Sequence, residues 1–189
     1  IYNQPFALSG EMDVKAAAFK DGKMLGKVSG KKLYGNLISG KSFTVTPPIG
    51  GTKGDIFGEN DVLGTDISTF GLTNGKRGNI ASMTPWSGFR MNDACNKLVF
   101  IVEFEQPTTV SKVVFGSLYN PASVILPPSV ATVETSSDGR KYDKMAEASF
   151  KRNYPERGRK AFTDTLGFAP KEVKYIKITL QNGGTLRNG

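Results

Sequence analysis

Leu98-Val99-Phe100-Ile101-Val102-Glu103-Phe104 decides the fold. Its length and its β-branched and aromatic content are those of a strand. Successive side chains of a strand alternate sides, so Leu98, Phe100, Val102 and Phe104 line one face. After Glu105-Gln106-Pro107-Thr108-Thr109 a second run, Val110 to Leu118, is again rich in Val and Phe. Two apolar runs joined by a short polar connection containing proline predict neighbouring strands of a core sheet. Just upstream, Pro85-Trp86-Ser87-Gly88-Phe89 sets two large aromatics around Ser-Gly, in a loop leading into that sheet.

The same periodicity recurs outward from this centre. Tyr175-Ile176-Lys177-Ile178-Thr179-Leu180 alternates, with Ile176, Ile178 and Leu180 inward and Tyr175, Lys177 and Thr179 outward. Val130 to Ser137, then Asp138-Gly139, then Arg140-Lys141-Tyr142 predicts a hairpin, with a further strand over Met145 to Phe150. A basic, turn-rich loop runs from Lys151 to Lys160. Near the start, Val14 to Lys20 and Lys23 to Ser29 flank Asp21-Gly22, another hairpin signal. Lys-Ala-Ala-Ala is a good helix former and a helix is the competing reading there, but Asp-Gly cuts it short. Ser42 to Thr46 reads as a strand stopped by Pro47-Pro48, and the glycine-rich remainder of 35–80 as long loop. No helix exceeds a turn or two. The expectation is an all-β chain, an antiparallel sandwich or jelly roll over 35–189 preceded by a hairpin unit over 1–34. About 34 residues bury too little core to fold alone, so the first unit should be the end of a larger sandwich or pack on the rest.

Composition narrows the chemistry. The 189 residues, 38% hydrophobic and with 22 glycines, describe a folded, turn-rich protein. No run approaches the roughly 18 apolar residues of a membrane-spanning helix. The opening Ile1-Tyr2-Asn3-Gln4-Pro5 lacks a methionine, as a fragment or processed product does. There is no histidine, which excludes Ser-His-Asp and Cys-His catalysis and histidine-ligated zinc. The single Cys95 has no internal disulfide partner and no neighbouring base to activate it. A net charge of +8 invites a nucleic-acid reading, yet the lysines are spread along strands and turns and no recognition motif accompanies them. The densest basic cluster is Lys151-Arg152 with Arg157, Arg159 and Lys160. Acidic glycans or anionic surfaces are its better partners, with no nucleic acid and no membrane insertion expected.

Five motifs follow one another in order. They are Leu72 to Gly78, then Trp86-Ser87-Gly88-Phe89, then Leu98 to Phe104, then Ser136-Ser137-Asp138-Gly139-Arg140-Lys141-Tyr142, then Lys174 to Ile178. Together they resemble the discoidin-like (coagulation factor five/eight type C) domain at the C-terminus of bacterial β-N-acetylhexosaminidases, or chitobiases. Residues 6 to 33 look like the last strands of the small sandwich that precedes it in those enzymes. The resemblance implies a jelly roll with a shallow sugar site on its end loops. It also implies an upstream catalytic domain in an exported glycoside hydrolase, periplasmic, extracellular or on the cell surface. In that family an Asp-Gly loop often gives its Asp to a structural calcium. Here Asn74 stands in that place, a weaker ligand than a carboxylate.

A glycosidase needs two carboxylates facing a sugar cleft, whereas Glu103, Glu105, Glu134 and Asp138 show no such pairing in sequence. Catalysis within the chain is therefore not expected, nor is a cofactor beyond that calcium. A sugar site needs an aromatic face for the C–H patch of a pyranose and fork-like donors for its hydroxyls. The loop-borne candidates are Trp86, Arg90 and Asn92, then Tyr119 and Asn120, then Arg152, Asn153 and Tyr154, with Phe89 and Asp93 beside them. The plainer readings are that Trp86 and Phe89 plug the end of the sandwich, Tyr119-Asn120 makes a polar turn, and 152–154 is solvated surface. The expected function is a non-catalytic carbohydrate-binding accessory module for galactose- or N-acetylhexosamine-containing glycans. The alternatives are a structural spacer on the catalytic domain, or adhesion to proteins or anionic surfaces.

Overall fold

The computed structural model describes residues 11–41, 43–46, 56–57, 72–73, 78, 80–81, 86, 88–89 and 96–184. The chain divides into two compact units, Ile1–Ser39 and Gly40–Gly189, each described by itself.

In the first unit β1 (Glu11–Lys20) and β2 (Lys23–Tyr34) form an antiparallel hairpin. Asp21 and Gly22 take φ of 50° and 76°, the left-handed pair that a two-residue turn needs to match the right-handed twist of its strands. Lys20 pairs with Lys23 across that turn, so the chain reverses where a helix would have had to continue. Gly26, at φ 76°, lies within a shift of register that opens between Ala16 and Ala18. Phe19, Met24, Leu25 and Val28 are exposed on this hairpin.

The second unit holds β3 (Phe43–Thr46), β4 (Ile56–Phe57), β5 (Gly88–Phe89), β6 (Lys97–Tyr119), β7 (Val130–Ser136), β8 (Asp143–Ser149) and β9 (Lys160–Gln181). Five of them form one antiparallel sheet in the order β3-β6-β9-β7-β8, while β4 and β5 pair with each other. Among the described residues there is no α-helix, and one 3-10 turn spans Pro121–Ser123. The chain is all-β and antiparallel, of the sandwich class read from its sequence.

Leu98, Phe100, Val102 and Phe104 are all buried, as their alternation predicts. On the same face β3 sets Phe43 opposite Val102 and Val45 opposite Phe100, and β9 sets Ile178 opposite Phe100 and Ile176 opposite Val102. From β7, Ala131, Val133 and Thr135 come opposite Leu180, Ile178 and Ile176 and are wholly buried. This row is the core. Phe43 and Phe100 meet edge to face within it, their ring centres 6.4 Å apart.

Three expectations need correction. The runs 98–104 and 110–118 are not neighbouring strands. They are successive halves of β6, and both pair with β9 across a register shift between Glu103 and Thr108. Pro107 has no N–H to donate, and it falls in that shift rather than in a hairpin turn. The strand marked by Tyr175 to Leu180 begins well upstream of that alternation, since residues 161–174 form the first half of β9, with Leu166 and Val173 buried. The segment Trp86 to Phe89 is not wholly loop, since Gly88 and Phe89 pair with Phe57 and Ile56.

The β7–β8 connection is also longer than a two-residue Asp-Gly turn, because Thr135 pairs with Asp143. Asp138 organises it. Its Oδ1 accepts the Arg140 N–H at 2.8 Å, the Lys141 N–H at 3.1 Å and the Ser136 hydroxyl at 2.9 Å. The Ser136 hydroxyl in turn accepts the Gly139 N–H at 2.9 Å. Gly139, at φ 74°, lets the turn close over the Tyr175 ring.

Candidate functional site

Beyond the five-stranded region, residues 112–119 of β6 and 160–167 of β9 continue as a two-stranded ribbon, and Tyr119, Asn120, Arg152, Asn153 and Tyr154 gather on or beside one face of it. Phe115 lies opposite Asp164, Ser117 opposite Phe162 and Tyr119 opposite Lys160. Directly paired residues share a side, so these six form one face. The chain after β8 is laid along that face. Phe150 meets Phe115 edge to face at 6.0 Å. The Arg152 guanidinium sits 4.6 Å from the Phe150 ring centre and 4.5 Å from that of Phe162. Tyr154 stacks on Tyr119 at 4.4 Å and 19°, and meets Phe162 edge-on at 6.1 Å.

Arg152 is not the free loop donor that its sequence context implies. Its Nη2 and Nη1 donate to the two Asp164 carboxylate oxygens at 2.6 and 3.2 Å, and the two side chains are only 5% and 11% exposed. A planar fork stacked on two rings and paired with a carboxylate is a structural clamp. Its Nε is buried with no hydrogen-bond partner among the described residues, as is the Ser117 hydroxyl on the same face.

Asn120 is likewise consumed by the fold. It is 2% exposed, its side-chain amide donates to the Ser123 hydroxyl at 3.1 Å, and its backbone N–H and C=O bond to Ile125. Those bonds close the tight loop through Pro121–Ser123. Tyr119 is 5% exposed and serves as the floor beneath Tyr154.

Tyr154 and Asn153 remain open to solvent. Tyr154 is 38% exposed, and because Tyr119 beneath it is buried, that exposure belongs to its outer side. Burial of the rest pushes its phenol above the ordinary tyrosine value, with Arg152 opposing and Tyr119 adding, so the hydroxyl stays protonated at neutral pH. Asn153 is exposed, and its backbone carbonyl accepts from Lys160 Nζ at 3.5 Å. That ammonium lies 5.0 Å from the Phe162 ring centre.

Trp86 belongs elsewhere. Its indole lies against Gly78, where an added Cβ would overlap the ring, and approaches the Cβ direction of Gly116 at 3.7 Å. Gly116 alternates with Phe115 and Ser117, so Trp86 covers the opposite face of the ribbon from Tyr154. Arg90 and Asn92 lie outside the described residues, as does Asn74 with its calcium expectation. Among the described residues no three His, Cys, Asp or Glu side chains gather within reach of one ion.

The carboxylates weighed for catalysis have structural partners. Glu103 accepts from the Tyr175 hydroxyl at 3.0 Å and pairs with Lys174 at 3.3 Å; the bond to Glu103 is the main reason the Tyr175 phenol is raised. Glu134 pairs with Lys177 at 2.8 Å and Glu105 with Lys41 at 3.2 Å. The turn N–H groups hold Asp138 below the usual carboxylate value. A polar cleft of about 230 Å³ lies between this turn and Lys171–Val173, where Lys171 is held by Asp143 at 3.0 Å.

Sequence reading missed Phe162 and Asp164, which build the platform. The signal was present in the alternation Lys160, Phe162, Asp164, Leu166.

No protein-family model matches the chain, and no curated protein matches it. Among solved structures it is similar to chitosan-binding module 1 of a chitosanase/glucanase from Paenibacillus sp. IK-5. That likeness has a TM-score of 0.49 and 15% identity, over 80% of this chain and 90% of that one. A structure described as CpGH89CBM32-5 of Clostridium perfringens, in complex with GalNAc-β-1,3-galactose, matches with a TM-score of 0.31 and 18% identity, over 46% of this chain and 56% of that one. The C-terminal domain of a Bacteroides fragilis chitobiase matches with a TM-score of 0.30 and 17% identity, over 49% and 55%. Every one of these scores lies below 0.5, so the fold assignment rests on the strands themselves.

Proposed function

We propose that residues 40–189 are a non-catalytic carbohydrate-binding module, with Tyr154 as the sugar platform. The observation that carries the reading is a solvent-facing tyrosine ring fixed from below by Tyr119 and from the side by Phe162. Such a ring offers a flat apolar face at little entropic cost, because its two side-chain torsions are already set. Asn153 and the Tyr154 hydroxyl supply hydrogen-bonding groups beside it. The motif order that resembles the discoidin-like domain of chitobiases supports the wider reading. In that reading the module serves an exported glycoside hydrolase of the β-N-acetylhexosaminidase kind and takes galactose- or N-acetylhexosamine-containing glycans. A single shallow platform binds a monosaccharide weakly, around millimolar or roughly 4 kcal/mol. Tethered to an enzyme on a polymer, that weak grip raises the local concentration of substrate.

Calorimetric titration with galactan and with N-acetylhexosamine oligomers tests this reading. Tyr154→Ala should abolish binding and Tyr154→Phe should keep most of it. Equal binding by wild type and Tyr154→Ala would remove Tyr154 as the platform.

The spacer reading is favoured by one set of facts: Tyr119, Asn120 and Arg152 are all spent on packing. It predicts that no glycan binds and that Tyr154→Ala changes only the melting temperature.

A further inference from the structure

Five lysines of the second unit are paired with carboxylates. Lys41, Lys144, Lys171, Lys174 and Lys177 each meet a carboxylate between 2.8 and 3.6 Å away. Lys151, Arg157, Arg159 and Lys160, which flank Tyr154 in sequence, are exposed and among the described residues pair with none. Arg159 donates to the Ile80 carbonyl at 3.3 Å and Lys160 to the Asn153 carbonyl, contacts that hold them in place without neutralising them. Asp164, on the ribbon face that carries the platform, is already paired with Arg152. Glu156 is the one acid in the loop 151–160, so the surround is strongly positive.

We propose that the glycan taken by this site is an acidic one, a pyranose bearing a carboxylate or a sulfate ester, with its C–H face on Tyr154 and its anion towards Lys160 and the exposed cations of the loop 151–160. This rests on the Tyr154 platform and adds the charge of the ligand to it. A ring face and a positive rim together select a sugar that is flat on one side and negative at its edge. Arg presents a fork to either oxyanion and the Lys ammonium a point charge. The same rim repels an aminated, cationic glycan.

The test is titration of the whole 189-residue chain with four polysaccharides: polygalacturonate, a sulfated galactan, an unsubstituted galactan and chitosan. Wild type should bind at least one of the first two about fivefold or more tighter than galactan, the yield of two or three partly exposed ion pairs, with chitosan weakest. The preference should shrink as salt rises from about 0.05 to 0.5 M, where the Debye length falls well below 10 Å. Which of the two acidic polymers leads separates carboxylate from sulfate recognition. Lys160→Gln combined with Arg157→Gln, both at exposed positions, should bring the ratio of acidic to neutral affinity close to one, and Tyr154→Ala should abolish binding of the acidic polymer.

Galactan binding as tight as polygalacturonate and sulfated galactan would overturn the acidic assignment while leaving Tyr154 as a sugar platform. Acidic binding that survives Tyr154→Ala, or that a single-stranded oligonucleotide competes away equally well, would overturn it as mere polyanion adsorption. No binding to any of the four polymers or to N-acetylhexosamine oligomers would overturn the platform reading itself.

Discussion

Arg152 shows how far a side chain can depart from the role its neighbourhood suggests. In sequence it stands in a basic, turn-rich loop; in the fold it is clamped between Phe150 and Phe162 and spends both terminal nitrogens on Asp164. The partner lies twelve positions away on the first half of β9, where the alternation of Phe162, Asp164 and Leu166 is cut short by Gly167 and Pro170. Removing one member of a buried pair strands the other, so Arg152→Met should cost about 3–5 kcal/mol in urea unfolding. The double change Arg152→Met with Asp164→Leu should recover most of that loss, which a purely steric account does not predict. Asp138 makes a different residue-scale prediction. Its folded pKa is depressed below 3.8, chiefly by the Arg140 and Lys141 N–H groups. A depressed acid contributes stability that is present above its unfolded pKa and lost as pH falls through the folded one. The stability gap between wild type and Asp138→Asn should therefore be open at neutral pH and close below pH 3.8, as followed by acid titration of the melting temperature.

At the scale of elements, alternation was legible wherever one face of a strand meets the core. Tyr175 to Leu180 reads correctly because Ile and Leu recur at period two there with polar residues between, and Leu98 to Phe104 because it is a run of β-branched and aromatic residues of strand length. What could not be read was pairing. Nothing local says that the second half of β6 continues the first, or that both lie against β9, since those partners are separated by long intervals of chain. The candidate site suffered in the same way: Tyr119, Asn120 and Arg152 were visible as residues, but their burial depends on a ribbon assembled from distant segments. Phe104, 1% exposed at the register shift of β6, is the strongest test of the core assignment. Phe104→Ala should cost about 3–5 kcal/mol in denaturant unfolding. Thr109→Ala, exposed on the same strand, should stay within about 0.5 kcal/mol.

For the whole molecule, the division at residues 39 and 40 gives two units of unequal means. The second contains the continuous apolar row from Phe43 to Val133. The first, as described, is a two-stranded hairpin with Phe19, Met24, Leu25 and Val28 exposed, and such hairpins are marginal in water. Residues 40–189 expressed alone should melt in one cooperative transition by calorimetry, and residues 1–39 alone should show none. A 40–189 fragment with no transition would refute the independence of that unit. The chain carries a single tryptophan, and its indole rests on Gly78 across the ribbon from Tyr154. Its ultraviolet emission should consequently shift to the red as the molecule denatures, yet hold its wavelength when a saccharide docks on the far side. The molecule thus has a built-in optical gauge of folding that is deaf to its ligand.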